Sequence, residues 1–152
     1  MSKNFFKTLR AGINTTYQDA GRFGMQHLGL PPSGCMDSKS FLLANAIVGN
    51  EKNNGVIEFA YQGPLLQLAK GKTKIVITGD VNFKIIYKNK KIVIGDCNRS
   101  YNLEEGDQID ILATKQSAYA YMAVEGGFNI KPFYKSVSVL SRAGIGPNEG
   151  KK

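Results

Sequence analysis

Apolar residues recur along this chain at two spacings, and the spacings divide it into elements. Between 81 and 87, Val81, Phe83, Ile85 and Tyr87 alternate with Asn82 and Lys84, the period of two expected of a strand with one buried face. Residues 74–78 form a continuous, mostly β-branched run that predicts a central strand. Runs at 56–59 and 65–68 flank Gly63-Pro64, a turn signal. Lys88-Asn89-Lys90 turns into a strand at 92–94, and Glu104-Glu105-Gly106-Asp107 turns into one at 109–113. In 117–125, Ala118, Ala120, Met122 and Val124 share one side, and Gly126-Gly127 closes the run. Residues 5–18 read as two short strands broken at Gly12. One segment follows the other period. Over 38–48, Phe41, Leu42, Leu43, Ala44, Ala46, Ile47 and Val48 cover most of a helical circumference, which predicts a largely buried helix. Asp37 stands where an N-cap accepts first-turn amides, and Gly49 where a helix stops. About nine strands and one buried helix predict a mainly β chain, an antiparallel barrel or sandwich.

Composition narrows this picture without changing it. A length of 152 residues is most simply one domain, 1–152. Such a chain buries roughly two-thirds of its unfolded surface, so no disulfide or metal staple is required. The two cysteines, Cys35 and Cys97, are distant and lack ligand-spaced neighbours; free, partly buried thiols are expected, with a redox pair as the alternative. No metal site is expected, because the chain has one histidine and too few ligands. No apolar run reaches the ~20 residues of a membrane helix, and the N-terminus lacks a signal-peptide core, so a cytoplasmic protein without membrane attachment is expected. The net charge of +8 comes from lysines scattered at turns and strand ends, such as Lys70, Lys72, Lys74, Lys88, Lys90 and Lys91. No basic helix or aromatic-studded basic face accompanies them, which argues against nucleic-acid binding.

Most chemical motifs fail on context. Gly71-Lys72-Thr73 resembles part of a phosphate loop, but Leu66 stands where a glycine is needed and a strand follows instead of a helix. A Ser-His-Asp triad would have to use His27, and no nucleophile elbow surrounds Ser33. The segment GMQHLGLPPSGCMD, residues 24–37, is different. It places the lone His27, two prolines, Ser33, Gly34 and the cap Asp37 within a short span. Two readings stand side by side. One is a rigid connecting loop with His27 as a buried, satisfied hydrogen bonder. The other is a ligand-contacting loop that unites His27, the Ser33 hydroxyl, the amides near Gly34 and a helix N-terminus, a set suited to an anionic or amide-bearing ligand.

The order TTYQDAGRFGMQHLGLPPSGCMD, LANAIVGN, GVIEFAYQGPLLQL, VEGGFNI and SRAGIG resembles the biotin-dependent carboxyltransferase/allophanate hydrolase subunit 2 family, which includes the KipA-type C-subunit of 5-oxoprolinase and part of urea carboxylase. The resemblance implies a cyclophilin-like antiparallel β-barrel. It also implies that the chain corresponds to the N-terminal half of the family, with a second barrel-like half absent. The activities it implies are ATP-dependent opening of the 5-oxoproline lactam, or carboxyl transfer from carboxybiotin, with this half inactive alone. The implied partners are a subunit-1 (KipI-like) protein and a protein of lactam-utilisation type, with self-association through the face left by the missing half as a further expectation. No cofactor is expected on this half alone; ATP or carboxybiotin would belong to the complete assembly. A KipA-like module that binds its partner without catalysis is the alternative. The matching positions are Gln26, His27, Pro32, Ser33, Gly34, Asp37, Asn45, Glu58, Gly126, Gly127, Arg142 and Glu149; Cys35 departs from the usual alanine. His27 and Asp37 are the candidate catalytic residues, and Gln26, Ser33, Gly34, Asn45, Glu58 and Arg142 the candidate substrate-binding ones. Asn45, on an apolar helix, is expected to bond to the Pro-rich loop. Glu58 is expected to point outward from its strand. Arg142 and Glu149 lie in either a solvated tail or the site.

Overall fold

A computed structural model describes residues 4–150. Ten strands and one α-helix are assigned among them. One antiparallel sheet has the order β1-β4-β9-β6-β7, formed by Phe5–Arg10, Leu65–Lys70, Gln108–Thr114, Val81–Ile86 and Ile92–Ile94. The other has the order β2-β3-β10-β5-β8, formed by Thr16–Gln18, Val56–Ala60, Tyr119–Val124, Lys72–Thr78 and Ser100–Glu104. Hydrogen bonding thus defines two five-stranded sheets, with no closed barrel assigned among the described residues. The mainly β, antiparallel class matches the expectation. Strand β8 is an addition to the expected set, because Tyr101 and Leu103 alternate with polar neighbours too briefly to stand out beside the adjacent turn residues.

The alternation read from the sequence builds the inter-sheet core. Val81, Phe83 and Ile85 of β6 face Leu66 and Leu68 of β4, Ile109 and Ile111 of β9, Ile57 and Phe59 of β3, and Ile75 and Ile77 of β5 in one cluster. Strand β10 is apolar at nearly every position because both of its faces are covered. Ala120, Met122 and Val124 enter the inter-sheet core, while Tyr121 and Ala123 lie beneath the helix. Gly12 separates β1 from β2 where a Cβ would come within 2.6 Å of the Gln62 carbonyl oxygen.

Helix α1, Ser38–Ile47, is capped as expected: the Asp37 carboxylate accepts from the amides of Lys39 and Ser40. Gly49 lies just beyond it in the left-handed region, with φ of 75°. The helix is nevertheless only half buried. Phe41, Ala44 and Val48 pack on Val56, Val76, Tyr121 and Ala123, while Leu42 and Leu43 stay 45% and 40% exposed. An apolar circumference is not proof of burial when a single sheet offers a single face. Asn45 is buried, but its partners are not in the Pro-rich loop. Its Nδ2 donates to the Asn54 carbonyl at 2.8 Å, and its Oδ1 accepts from Asn50 at 3.0 Å. The side chain fastens the turn after the helix. The 141–150 segment is not a plain solvated tail either: Leu140 bridges to Ile145, and Gly146 and Gly150 are buried.

Asn45→Ala would leave the Asn54 carbonyl and the Asn50 amide without these bonds. It is expected to lower unfolding free energy by about 1–3 kcal/mol, read as a lower urea midpoint with an unchanged slope.

Candidate functional site

The two ends of the Pro-rich segment are drawn together by backbone contacts that only glycine permits. The Arg22 amide donates to the Pro32 carbonyl at 2.6 Å, and the Cys35 amide to the Asp19 carbonyl at 2.9 Å. Gly21 has a φ of 104°, and a Cβ there would stand 2.7 Å from the Pro32 oxygen. Gly34 has a φ of 99°, and its Cβ would stand 2.8 Å from the Ala20 oxygen. Both conformation and close approach therefore demand glycine at these two positions. Ser33 adopts a φ of 57° between them, a conformation of the kind that surrounding structure must hold in place.

Two buried carboxylates do the holding. Asp19 is 3% exposed, and its Oδ1 accepts from the Ser136 hydroxyl at 2.7 Å, the Ser138 hydroxyl at 2.6 Å and the Gly21 amide at 2.8 Å. Its Oδ2 accepts from the Val137 amide at 2.8 Å. Burial pushes this carboxyl up, but bonds from Ser138, Ser136, Val137 and Gly21 outweigh it and hold the pKa below the ordinary range. Arg22, 1% exposed, donates to the Ser33 hydroxyl oxygen at 3.1 Å and to the Ser138 carbonyl oxygen. Its Nε is buried without a hydrogen-bond partner.

The second carboxylate acts on the other side of the segment. In β3, Ile57 and Phe59 point into the inter-sheet core, so Glu58 points the opposite way. That agrees with an outward direction but not with exposure: the loop covers Glu58, leaving it 5% exposed. Its Oε2 accepts from the Met36 amide at 2.8 Å and from the Tyr121 hydroxyl at 2.7 Å, and that hydroxyl accepts from the Asp37 amide at 2.7 Å. Burial raises the Glu58 pKa against these bonds, and it raises that of Tyr121 as well. Cys35 is pushed up to about 11 by burial and by the nearby Glu58 charge, so its thiol is protonated at neutral pH and poorly nucleophilic. Both cysteines are free thiols.

Ser33 thus belongs to the Asp19 network and Asp37 to the Glu58 network, and the two meet along the 33–37 backbone, which also holds Gly34. Gln26 and His27 sit on a short 3-10 turn, Gln26–Leu28, in the excursion between the clamped ends, and both are exposed. The imidazole makes no hydrogen bond among the described residues, so it is not a buried, satisfied histidine. Asp37 is held below the ordinary range by the Ser40 hydroxyl, with burial opposing, and by the amides of Ser40 and Lys39. Asn45 lies outside both networks, and so does Arg142, which is exposed on the turn Ser141–Ala143. Sequence reasoning missed Asp19, Arg22, Tyr121, Ser136 and Ser138. The signal for the first two was the DAGR tetrapeptide, with a charged pair flanking a small-residue turn. Nothing local marked the serines. Among the described residues, no three His, Cys, Asp or Glu side chains converge to hold a metal ion, and no helix is long and apolar enough to cross a membrane.

Removing Asp19 strands two buried hydroxyls and two backbone amides, and takes a compensating charge away from the buried Arg22. Asp19→Ala is expected to cost about 3 kcal/mol in chemical denaturation at neutral pH. Glu58 behaves oppositely with pH. Its raised pKa makes the stability it contributes complete below the ordinary carboxylate range and lost as pH rises through the folded value. Glu58→Gln therefore gains on the wild type as pH rises from about 4 towards 7, measurable as diverging urea midpoints. A gap independent of pH would contradict the burial assigned to this carboxyl.

Comparison with known proteins agrees with this architecture. The chain is 36% identical to urea amidolyase of Lachancea kluyveri, over 96% of this chain and 8% of that protein. It is 27% identical to the C-subunit of 5-oxoprolinase from Escherichia coli (strain K12), over 95% of this chain and 45% of that protein. The crystal structure of Kluyveromyces lactis urea carboxylase superposes with a TM-score of 0.87 at 30% identity, covering 99% of this chain and 13% of that one. The chain therefore spans less than half the length of these curated relatives. The model of the carboxyltransferase domain, subdomain A and B, matches residues 28–152, and with that match the chain is placed as a member of the carboxyltransferase-domain A/B family.

Proposed function

We propose that this chain supplies a preformed substrate-contacting loop to a site that a further chain segment or a partner protein completes, in an assembly that either opens an amide such as the 5-oxoproline lactam or transfers a carboxyl group. The observation that carries the reading is a contrast within one segment. The base at 19–22 and 32–37 is fixed by two buried carboxylates, while the tip keeps Gln26, His27 and Leu28 exposed. Fixing the base while exposing the polar tip matches the need of a binding group, which must be oriented before substrate arrives. Exposed Phe23 and Leu28 on the same excursion, 67% and 53% exposed, suit contact with a second surface.

In this reading His27 donates a hydrogen bond or proton to the substrate amide. Ser33 accepts from Arg22, which leaves its own O–H to point at a negatively charged oxygen. Asp37 works through the helix cap: both its oxygens are engaged, Oδ1 by amides and Oδ2 by the Ser40 hydroxyl at 2.6 Å. It orients the loop and the first turn of α1. Gln26 is a further contact at the tip. Glu58 supports the base from beneath, and Arg142 joins the site only through a surface supplied from outside this chain.

The Gly71-Lys72-Thr73 turn does not fit a phosphate. The Gly71 amide, which a phosphate loop would aim at an anion, donates to the Glu105 carboxylate at 3.4 Å in a tight turn between two strands. In this reading ATP or carboxybiotin is held by the rest of the assembly, and the candidate partners are a subunit-1-type (KipI-like) protein and a lactam-utilisation-type protein. A non-catalytic, KipA-like partner-binding role is favoured by one observation, the exposure of three large apolar residues, Met36 at the end of the loop and Leu42 and Leu43 on the helix that follows.

The test is ATP-dependent glutamate release from 5-oxoproline, and carboxyl transfer to urea, in complexes reconstituted with those partners. His27→Ala is expected to lower kcat about 100-fold with assembly intact by size-exclusion chromatography. Full activity in that variant would overturn the catalytic reading. No turnover in any competent combination, with partner binding that survives His27→Ala, would establish the binding module instead.

A further inference from the structure

A cavity of about 580 Å³ opens between the two sheets, well inside the size range of natural ligand pockets. Its walls come from both sheets: β1 and β4 on one side, β2, β3, β5 and β10 on the other, with the 125–130 segment at its edge. None of residues 19–37 lines it, so it is separate from the Pro-rich loop. The floor is the margin of the core itself. Ile57, Leu66 and Val124 are buried core residues, and Phe6, Tyr17 and Phe128 pack against them only partly buried. Tyr17 and Phe128 meet edge to face, with ring centroids 5.5 Å apart.

Two features of the lining define what it can hold. First, among the described residues no Lys or Arg lines the cavity, although the chain carries a net charge of +8. The one charged lining residue among those described is Glu125, whose carboxylate is engaged by the Lys74 ammonium at 3.1 Å. An anion would enter against an acidic edge whose nearby cation, Lys74, is already paired with Glu125. Second, the polar groups present are neutral. The Tyr17 hydroxyl and the Asn129 amide have no hydrogen-bond partner among the described residues, and Thr8 and Thr73 add hydroxyls at the rim. Aromatic side chains favour a flat apolar body through edge and face contacts.

The geometry points to a second small-molecule site in the inter-sheet mouth, taking a neutral ligand with a flat, ring-containing apolar body and one hydrogen-bonding group. The ligand's ring system packs against Phe6, Tyr17 and Phe128, and its polar group meets the Tyr17 hydroxyl or the Asn129 amide. This separates it chemically from the anionic or amide-bearing substrate assigned to the Pro-rich loop. Tyr17 lies two residues before Asp19, and its carbonyl accepts from the Val139 amide at 3.0 Å, beside the serines that Asp19 binds. A ligand on Tyr17 therefore contacts the strand that leads directly into the loop's clamp.

The probes are 2-naphthol and its carboxylate analogue 2-naphthoate, titrated into the ¹⁵N-labelled chain and followed by amide shifts. The expected result is saturable binding of 2-naphthol with shifts centred on residues 6–8, 17, 57 and 124–130, and binding of 2-naphthoate weaker by about tenfold or more. Thr8→Trp, which fills the rim, should weaken 2-naphthol about tenfold with thermal stability retained. Nuclear Overhauser contacts from naphthol protons to the Tyr17 and Phe128 rings supply a readout that needs no variant. Non-saturating shifts around Phe23 and Leu28, equal affinity for the two probes, or absence of those ring contacts would each overturn the proposal. Loss of turnover in His27→Ala with naphthol binding unchanged would leave the two sites distinguished.

Discussion

The carboxylate of Asp19 is the point on which the loop's geometry rests. It sits at the end of β2, out of reach of bulk water, and gathers four donors from two regions of the chain more than a hundred residues apart. A buried charge is tolerable only when its lone pairs are filled, and here hydroxyl and amide donors fill them. The consequence is reciprocal. The 136–138 segment, which has no regular structure of its own, is ordered by the acid, and the acid is kept ionised by that segment. Arg22 extends the arrangement to Ser33 and brings a positive charge close enough to favour the Asp19 carboxylate.

Glu58 completes the support with the opposite electrostatic character. One carboxyl beneath the segment is held low by hydrogen bonds, and the other is raised by burial. Neighbouring acids driven in opposite directions by their surroundings are a common arrangement at functional sites, although structural networks produce it too. In this protein both acids face backbone amides of the loop or its neighbours, so their first effect is on conformation. The chemistry proposed for the tip residues depends on that fixed conformation.

Much of the fold was legible in local pattern. The alternation from Val81 to Ile85, the Asp37 cap and the strand boundaries at Gly63-Pro64 and Gly126-Gly127 all reflect forces acting within a few residues. The misreadings share one origin. Leu42 and Leu43 looked buried, and Asn45 looked tied to the loop, because a helix sequence states its apolar residues but not which neighbours arrive to cover them. Glu58 pointed away from the core as its strand phase required, yet only the docked loop made that face an interior. The site divided along the same line. His27, Ser33 and Gly34 stood out as a dense local cluster, whereas Ser136 and Ser138 matter solely through a contact spanning most of the chain. Proline, glycine and cap signals report local geometry; long-range polar partners leave no such trace.

The bond from the Arg22 amide to the Pro32 carbonyl closes the nine intervening residues into a self-contained excursion. Its two feet are anchored independently of what lies between them, and its interior residues carry no buried side chain beyond the feet. Insertions, deletions and exchanges in that stretch are therefore decoupled from the stability of the sheets beneath. Such a layout lets the excursion change in length and sequence while the scaffold beneath keeps its fold.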